Sequence, residues 1–179
     1  MSIIRPLLVA ALLAGAAHSA LAATPAPAPD VALKQLFHDT DEASLKRNPI
    51  AALFRGDMRY SDQLGDFFSD AHYAGEKAAD QDALKQLAAI PRASLTHTDQ
   101  IAYDVFKRST EIDLESYRPD LLKVAEVLPI DHFSGIHILY PDLSSGQGAA
   151  PFKTVKDYED ALKRHDQYAH MIDEAIGRF

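Results

Sequence analysis

The last part of the chain, from Thr154 to Phe179, reads TVKDYEDALKRHDQYAHMIDEAIGRF and carries its clearest helical pattern. Apolar side chains recur there at alternating steps of three and four residues, which is the spacing of one face of an α-helix. Thr154 and Asp157 fit a capping box, in which each side chain satisfies the backbone amide of the other residue. The stretch therefore predicts a long amphipathic helix with an apolar stripe that packs on other helices. The stripe comprises Val155, Tyr158, Leu162, His165, Ala169, Ile172 and Ile176.

Three further long helices are predicted upstream, each bounded by residues that start or stop a helix. They are Asp30 to about Arg47, Ser69 to about Ile90, and a helix that starts at the capping box Thr96–Asp99 and ends before Pro119. Asn48-Pro49 breaks the first helix, and a short helical turn to Phe54 follows. The sequence thus predicts an all-α array of about four long helices.

The stretch from Leu128 to Leu143, between the last two long helices, is apolar but has no regular period. The β-branched and aromatic residues from Ile136 to Tyr140 permit one short strand or an extended run, although no partner strand is visible. We therefore expect a long irregular apolar segment at this point. Such a segment either lines a cleft or fills the gap between two helices.

The N-terminal region has the composition of an export signal. Met1–Ala22 contains a basic start, a short apolar run and small residues before a cleavage site ahead of Ala23. The apolar run is shorter than the ~20 residues that a bilayer requires. We expect residues 1–22 to be a signal peptide, 23–30 a Pro/Ala-rich linker and 31–179 a helical domain. The mature protein would then be periplasmic or secreted and free of the membrane.

Composition excludes several classes of function. The chain has 18 Lys and Arg against 26 Asp and Glu, a formal net charge of −8, and no cysteine. An acidic balance argues against a nucleic-acid partner, since phosphate binding requires a surplus of basic side chains. The absence of cysteine excludes disulfides, thiolate nucleophiles and Cys-ligated metals.

The sequence contains none of the motifs that would mark a catalytic or metal site. No His is followed by Glu, so the H-E-x-x-H zinc motif is absent. The pairs His132/His137 and His165/His170 are each spaced five residues apart, which does not converge on one metal ion on a helix or on a strand. No nucleophile elbow is present either. We therefore assign no catalytic residue, no metal ligand and no cofactor to this chain.

A series of short motifs resembles the N-terminal part of the bacterial domain-of-unknown-function family eight-eight-five. The motifs are Asn48-Pro49, Gly56-Asp-Met-Arg-Tyr60, Leu95–Phe106, Leu128-Pro-Ile-Asp131, Gly135-Ile-His137, Pro141 and Pro151–Tyr158. The resemblance extends from about Leu33 to Phe179. It implies a helical, often exported protein grouped by fold with zinc metallopeptidases, which hydrolyse peptide bonds with a metal-activated water.

The resemblance also implies that the chain is incomplete. Family members are several times longer, and their zinc-binding helix corresponds to nothing in these 179 residues, so zinc is expected only in a full-length relative. We expect a non-catalytic N-terminal portion of a larger helical metallopeptidase-like fold, inactive by itself. In that setting His132, Gly135 and His137 would line a substrate cleft for a peptide. The alternative is a stand-alone periplasmic helical binding or adaptor module.

Overall fold

Helices account for all the regular secondary structure of residues 27–127, 130–133 and 135–178, which are the residues that a computed structural model of the chain describes. The α-helices are α1 (Pro29–Arg47), α2 (Pro49–Phe54), α3 (Asp70–Ala88), α4 (His97–Ser116), α5 (Pro119–Val127), α6 (Ile136–Ser144) and α7 (Val155–Arg178). Short 3₁₀ turns at Met58–Tyr60 and Arg92–Ser94 connect them. The all-α fold with four long helices is confirmed. The expected signal peptide and the first half of the linker, residues 23–26, lie outside the described residues.

Three of the four predicted helix starts, at Ser69, Thr96 and Thr154, coincide with side-chain caps. The exception is α1, which begins at Pro29 after Ala28 without a side-chain cap, and not at Asp30 as the sequence predicts. The Ser69 hydroxyl accepts a hydrogen bond from the His72 amide at 2.9 Å, and Thr96 accepts one from the Asp99 amide at 3.2 Å. These bonds satisfy donors that the first turn of a helix leaves without a partner. The box at Thr96 differs from the prediction in one respect. The Asp99 carboxylate accepts from the Thr96 hydroxyl at 2.7 Å and not from its backbone amide.

The stretch between α4 and α7 is more regular than predicted. Pro119, read as a stop signal, occupies the start of α5, where its fixed φ suits the first turn. The expected strand or extended run at Ile136–Tyr140 is wrong, because this segment belongs to α6. Ile136, Tyr140 and Leu143 are buried at steps of four and three residues, so burial on one helical face outweighs their strand propensity.

Two clusters of buried side chains form the interior. One lies between α1, α3 and α4 and contains Leu33, Leu36, Leu87, Ile90, Leu95 and Tyr103. The other joins α2, α6, α7 and the loop that precedes α3, and contains Ile50, Leu53, Leu64, Phe68, Ile136, Tyr140, Leu143, Ala150, Met171 and Ala175. Tyr140 of α6 stacks on Tyr168 of α7 with ring centroids 3.9 Å apart. Residues of the second cluster also line two cavities of the molecule.

The predicted orientation of α7 is wrong. Its apolar stripe faces solvent, and Val155, Leu162 and Ile176 are 75%, 68% and 64% exposed. The buried residues of α7 are instead Asp160, Arg164, Met171 and Ala175. His165 is exposed as well, although its Nδ1 lies 3.1 Å from the Tyr140 hydroxyl. The reason is the neighbour of α7, a loop that offers backbone amides and carbonyls to polar side chains.

Candidate functional site

The three predicted cleft residues lie at or just before the start of α6. His132 is exposed and its ring lies 3.9 Å from that of Phe133, which is 82% exposed. Gly135 has a φ of +125°, a conformation that favours glycine, and a Cβ added there would lie 3.1 Å from Nδ1 of His137. The positive φ explains the need for glycine at position 135, and the His137 ring leaves little space for a side chain there.

His137 is partly buried at the beginning of α6. Its Nδ1 atom is enclosed and has no hydrogen-bond partner in the part of the chain that the structure describes. The ring sits against Gly135 and does not line either of the two cavities described next. His132 does not line them either. Of the three predicted residues, Gly135 borders one of these two cavities.

That cavity is an apolar groove of about 540 Å³ between α2 and α6. Its lining residues are Asn48, Ile50, Ala51, Phe54, Phe67, Phe68, Gly135, Ile136 and Leu139. The one polar side chain among them, Asn48, already accepts a hydrogen bond from the Ala51 amide at 3.3 Å. The groove therefore suits an aliphatic or aromatic group. Sequence reasoning missed its aromatic wall, although the doublet Phe67-Phe68 in an otherwise polar loop was a visible signal.

A second site lies where α7 meets the loop around Ser61. Gln167 hydrogen bonds to this loop in both directions, accepting from the Leu64 amide and donating to the Asp62 carbonyl, each at 2.8 Å. Arg164 donates through Nη1 to the Ser61 carbonyl. These side chains fix the polar face of α7 against backbone groups that would otherwise be buried without partners.

Asp160 is the buried carboxylate of this site, at 2% exposure. It accepts a hydrogen bond from the Ser61 hydroxyl at 2.6 Å and another from the Lys156 ammonium. Burial acts to raise the pKa of Asp160, but these hydrogen bonds outweigh it and hold the pKa below its ordinary value. Asp160 is therefore a paired, ionised anchor of α7.

A cavity of about 240 Å³ adjoins this anchor, and we call it the anchor cavity. Its lining residues are Leu53, Met58, Ser61, Ala150, Pro151, Lys153, Thr154, Asp157, Asp160 and Arg164. The first turn of α7 forms one side, and the Asp157 carboxylate accepts from the amides of Lys153 and Thr154 at 2.9 and 2.7 Å. These bonds belong to the predicted capping box. The cavity as a whole combines one charged wall with one apolar wall.

Across residues 27–127, 130–133 and 135–178, no group of three or more His, Asp or Glu side chains is arranged to hold a metal ion. The same residues contain no helix with the length and apolar character needed to cross a bilayer.

Comparison with known proteins gives a match to a family model. No curated protein and no solved structure matches this chain. The sequence model of one family, described as "Bacterial protein of unknown function (DUF885)", matches residues 49–179. The match begins at the first residue of α2, so α1 lies outside it. Because the match spans well over half of the sequence, the chain belongs to the DUF885 family.

Proposed function

We propose that this chain is the non-catalytic helical portion of an exported, zinc-metallopeptidase-like protein that hydrolyses peptides in its full-length form. The observation that carries the proposal is the exposed apolar stripe of α7. Soluble proteins rarely expose a continuous apolar face on a long helix unless another surface covers it. Residues of the zinc-bearing portion would cover this stripe, and the present chain would contribute a wall of the peptide channel.

The stripe has the geometry of a helix–helix interface. Val155, Tyr158, Leu162, Ala169 and Ile176 follow one another at steps that keep them on one side of α7. The opposite side of α7 is buried: Gln167 binds the loop there, and Met171 and Ala175 pack in the interior. A second helix lying along the stripe would bury apolar surface that is now in contact with water, worth ~25 cal/mol per Å².

Two further expectations belong to the same proposal. Export rests on the signal-like residues Met1–Ala22, so the mature protein should begin at Ala23 and lie in the periplasm or outside the cell. Peptide binding rests on the apolar groove, whose aromatic wall suits an apolar side chain of a substrate.

Purification of the native gene product from the producing bacterium tests the proposal. We expect its N-terminus to be Ala23, and we expect stoichiometric zinc and peptide hydrolysis in material that contains a zinc-bearing portion. The 179-residue chain expressed alone should show neither property. Stoichiometric zinc together with peptide cleavage by that chain alone would refute the proposal.

The α7 stripe is tested by coexpression with the zinc-bearing portion. Leu162→Glu should abolish copurification, since it places a charge in an apolar interface. Glu159→Gln, on the same helix and also exposed, is the matched control and should leave copurification unchanged.

A stand-alone periplasmic binding or adaptor module is the second candidate. The apolar groove favours it, because this chain supplies all the residues that line the groove. Native material that consists of this single polypeptide, without zinc, would support this second candidate.

A further inference from the structure

We propose that the anchor cavity binds a small carboxylate that carries a short apolar tail, with Arg164 as the residue that recognises the carboxylate. This inference concerns a site separate from the apolar groove and from the α7 stripe. It does not depend on the proposed function.

The first argument is the incomplete pairing of Arg164. The residue is 3% exposed and lines the cavity, yet among the described residues its guanidinium makes one hydrogen bond, from Nη1 to the Ser61 carbonyl. It forms no ion pair with any residue that the structure describes. A guanidinium has five N–H donors, and a buried positive charge without a counter-ion is costly. Burial accordingly lowers the pKa of Arg164 from its ordinary value.

The second argument is that the neighbouring carboxylates are already engaged. Asp62 pairs with a lysine at 3.1 Å, and Asp157 accepts from two backbone amides. Asp160 accepts from a lysine and a serine. These three groups exert only a longer-range attraction on Arg164. The free donors of Arg164 are therefore available to an incoming anion, and a planar carboxylate matches the guanidinium fork.

The third argument concerns the size and the other wall of the cavity. About 240 Å³ is room for ~8 water-sized groups at ~30 Å³ each, which is the size of an acid with four to six carbons. Leu53, Met58, Ala150 and Pro151 form an apolar surface within the same cavity. A short hydrocarbon tail would pack on this surface while the head group reaches Arg164.

The balance of charge favours a monoanion. The lining contains the cations Lys153 and Arg164 and the anions Asp157 and Asp160, and Lys156 lies beside it. Three cations against two carboxylates leave a surplus of one positive charge, which a monoanion neutralises, whereas a dianion such as phosphate would leave a net negative charge. Two sources offer the required chemistry, a free short-chain acid and the C-terminal residue of a peptide.

Titration of the purified chain, followed by NMR, tests the inference with four probes. These are butyrate, its neutral isostere butyramide, N-acetyl-alanyl-alanine, and the C-terminal amide of that dipeptide. We expect saturable shifts of the Arg164 Nε–H resonance and of the cavity amides with one or both acids, and none with the amides. Saturation by butyrate identifies a free acid as a source, and saturation by the dipeptide acid alone identifies a peptide terminus.

Variants locate the interaction. Arg164→Gln should weaken binding about tenfold or more, because a charge-assisted hydrogen bond is lost. Arg118→Gln, an exposed arginine paired with Asp120, is the matched control and should bind as the wild type does. Because a buried arginine matters for folding, Met58→Glu serves as a second variant: Met58 is 45% exposed, and a carboxylate there should repel the ligand and weaken binding about tenfold. Equal binding of acids and amides, no shift at Arg164 in the wild type, or unchanged binding by Met58→Glu would overturn the inference.

Discussion

Replacing Asp80 with asparagine should stabilise the protein at neutral pH. Asp80 is half-buried on α3, and the carboxylates of Glu76 and Asp113 lie close enough to act on it. Burial, reinforced by these two charges, raises the pKa of Asp80 to about 6, while Arg47 opposes the rise. The carboxylate accepts no hydrogen bond from the residues that the structure describes, so asparagine removes the repulsive charge without breaking a contact.

The magnitude follows from the difference between the folded and unfolded pKa. A carboxyl whose pKa rises on folding from 3.8 to about 6 costs ~3 kcal/mol of stability above both values, at 1.36 kcal/mol for each pH unit. Since Asp80 is only half-buried, water screens part of this energy, and we take about half, ~1.5 kcal/mol. Because folding raises the pKa of this acid, the ionised form of Asp80 destabilises the folded state. The penalty is fully present above pH ~6 and disappears as the pH falls towards ~4.

Urea unfolding of the wild type and of Asp80→Asn at several pH values measures this effect. We expect the variant to be more stable by ~1.5 kcal/mol near pH ~7.5, with the advantage falling to zero near pH ~4. Asp166→Asn is the matched control, since Asp166 is exposed in the middle of α7 and its replacement should change stability little. An advantage for Asp80→Asn that does not depend on pH, or a loss of stability at pH ~7.5, would refute the reasoning.

Three further predictions concern glycine, burial and the polar anchor. In thermal unfolding, Gly146→Ala should destabilise the protein by ~2 kcal/mol, because φ is +73° and a Cβ would lie 2.5 Å from the Phe152 ring. Gly75→Ala is the control, and it should stabilise the protein by ~0.5–1 kcal/mol because Gly75 lies within α3 with open space around it. Met171→Ala should cost ~2–4 kcal/mol in urea unfolding and Leu162→Gln less than ~0.5 kcal/mol, and the reverse order would show that the apolar stripe of α7 is the buried side. Asp160→Asn should cost ~2 kcal/mol at neutral pH through weakened hydrogen bonds, and because the pKa of Asp160 is lowered, this difference should shrink as the pH falls through its folded value.

Helix positions could be predicted from the sequence because the signals that set them are local. The side chains of Ser69, Thr96 and Asp157 accept hydrogen bonds from backbone amides three or four residues away, so their capping roles can be predicted without knowledge of the tertiary structure. Proline was read correctly at Asn48-Pro49, where it restarts a helix. At Pro119 the prediction that the preceding helix ends before it is confirmed, since α4 ends at Ser116. The start of α5 at the same proline was missed, because proline also suits the first turn of a new helix.

The orientation of α7 could not be predicted from its own residues. Its apolar period is real, but burial is decided by the neighbouring element. That element is a loop whose backbone groups need polar partners. Gln167 and Arg164 satisfy those groups, and their side of the helix is consequently buried. No sequence rule connects Arg164 to the Ser61 carbonyl, since more than a hundred residues separate the two along the chain.

The predicted cleft residues and the lining of the apolar groove overlap at one position. Gly135 does line the apolar groove, while His132 and His137 do not. The use of these residues in substrate binding stays a prediction. His132 and His137 are polar groups in an otherwise apolar stretch of sequence, which is the reason for that prediction. The groove is lined instead by aromatic residues such as Phe54 and Phe67, which lie far upstream of these histidines in the sequence.

Attachment of α7 through directional hydrogen bonds defines its rotational register. Apolar contacts tolerate small shifts of a helix along its axis. A shift of one residue, however, would turn α7 by ~100° and break the hydrogen bonds of Gln167 and Asp160 to the loop around Ser61. The hydrogen bonds therefore fix the direction in which the apolar stripe of α7, including Leu162 and Ile176, faces solvent. A partner that binds this stripe would meet a helix whose orientation is already fixed, so binding would carry a smaller entropic cost of ordering α7.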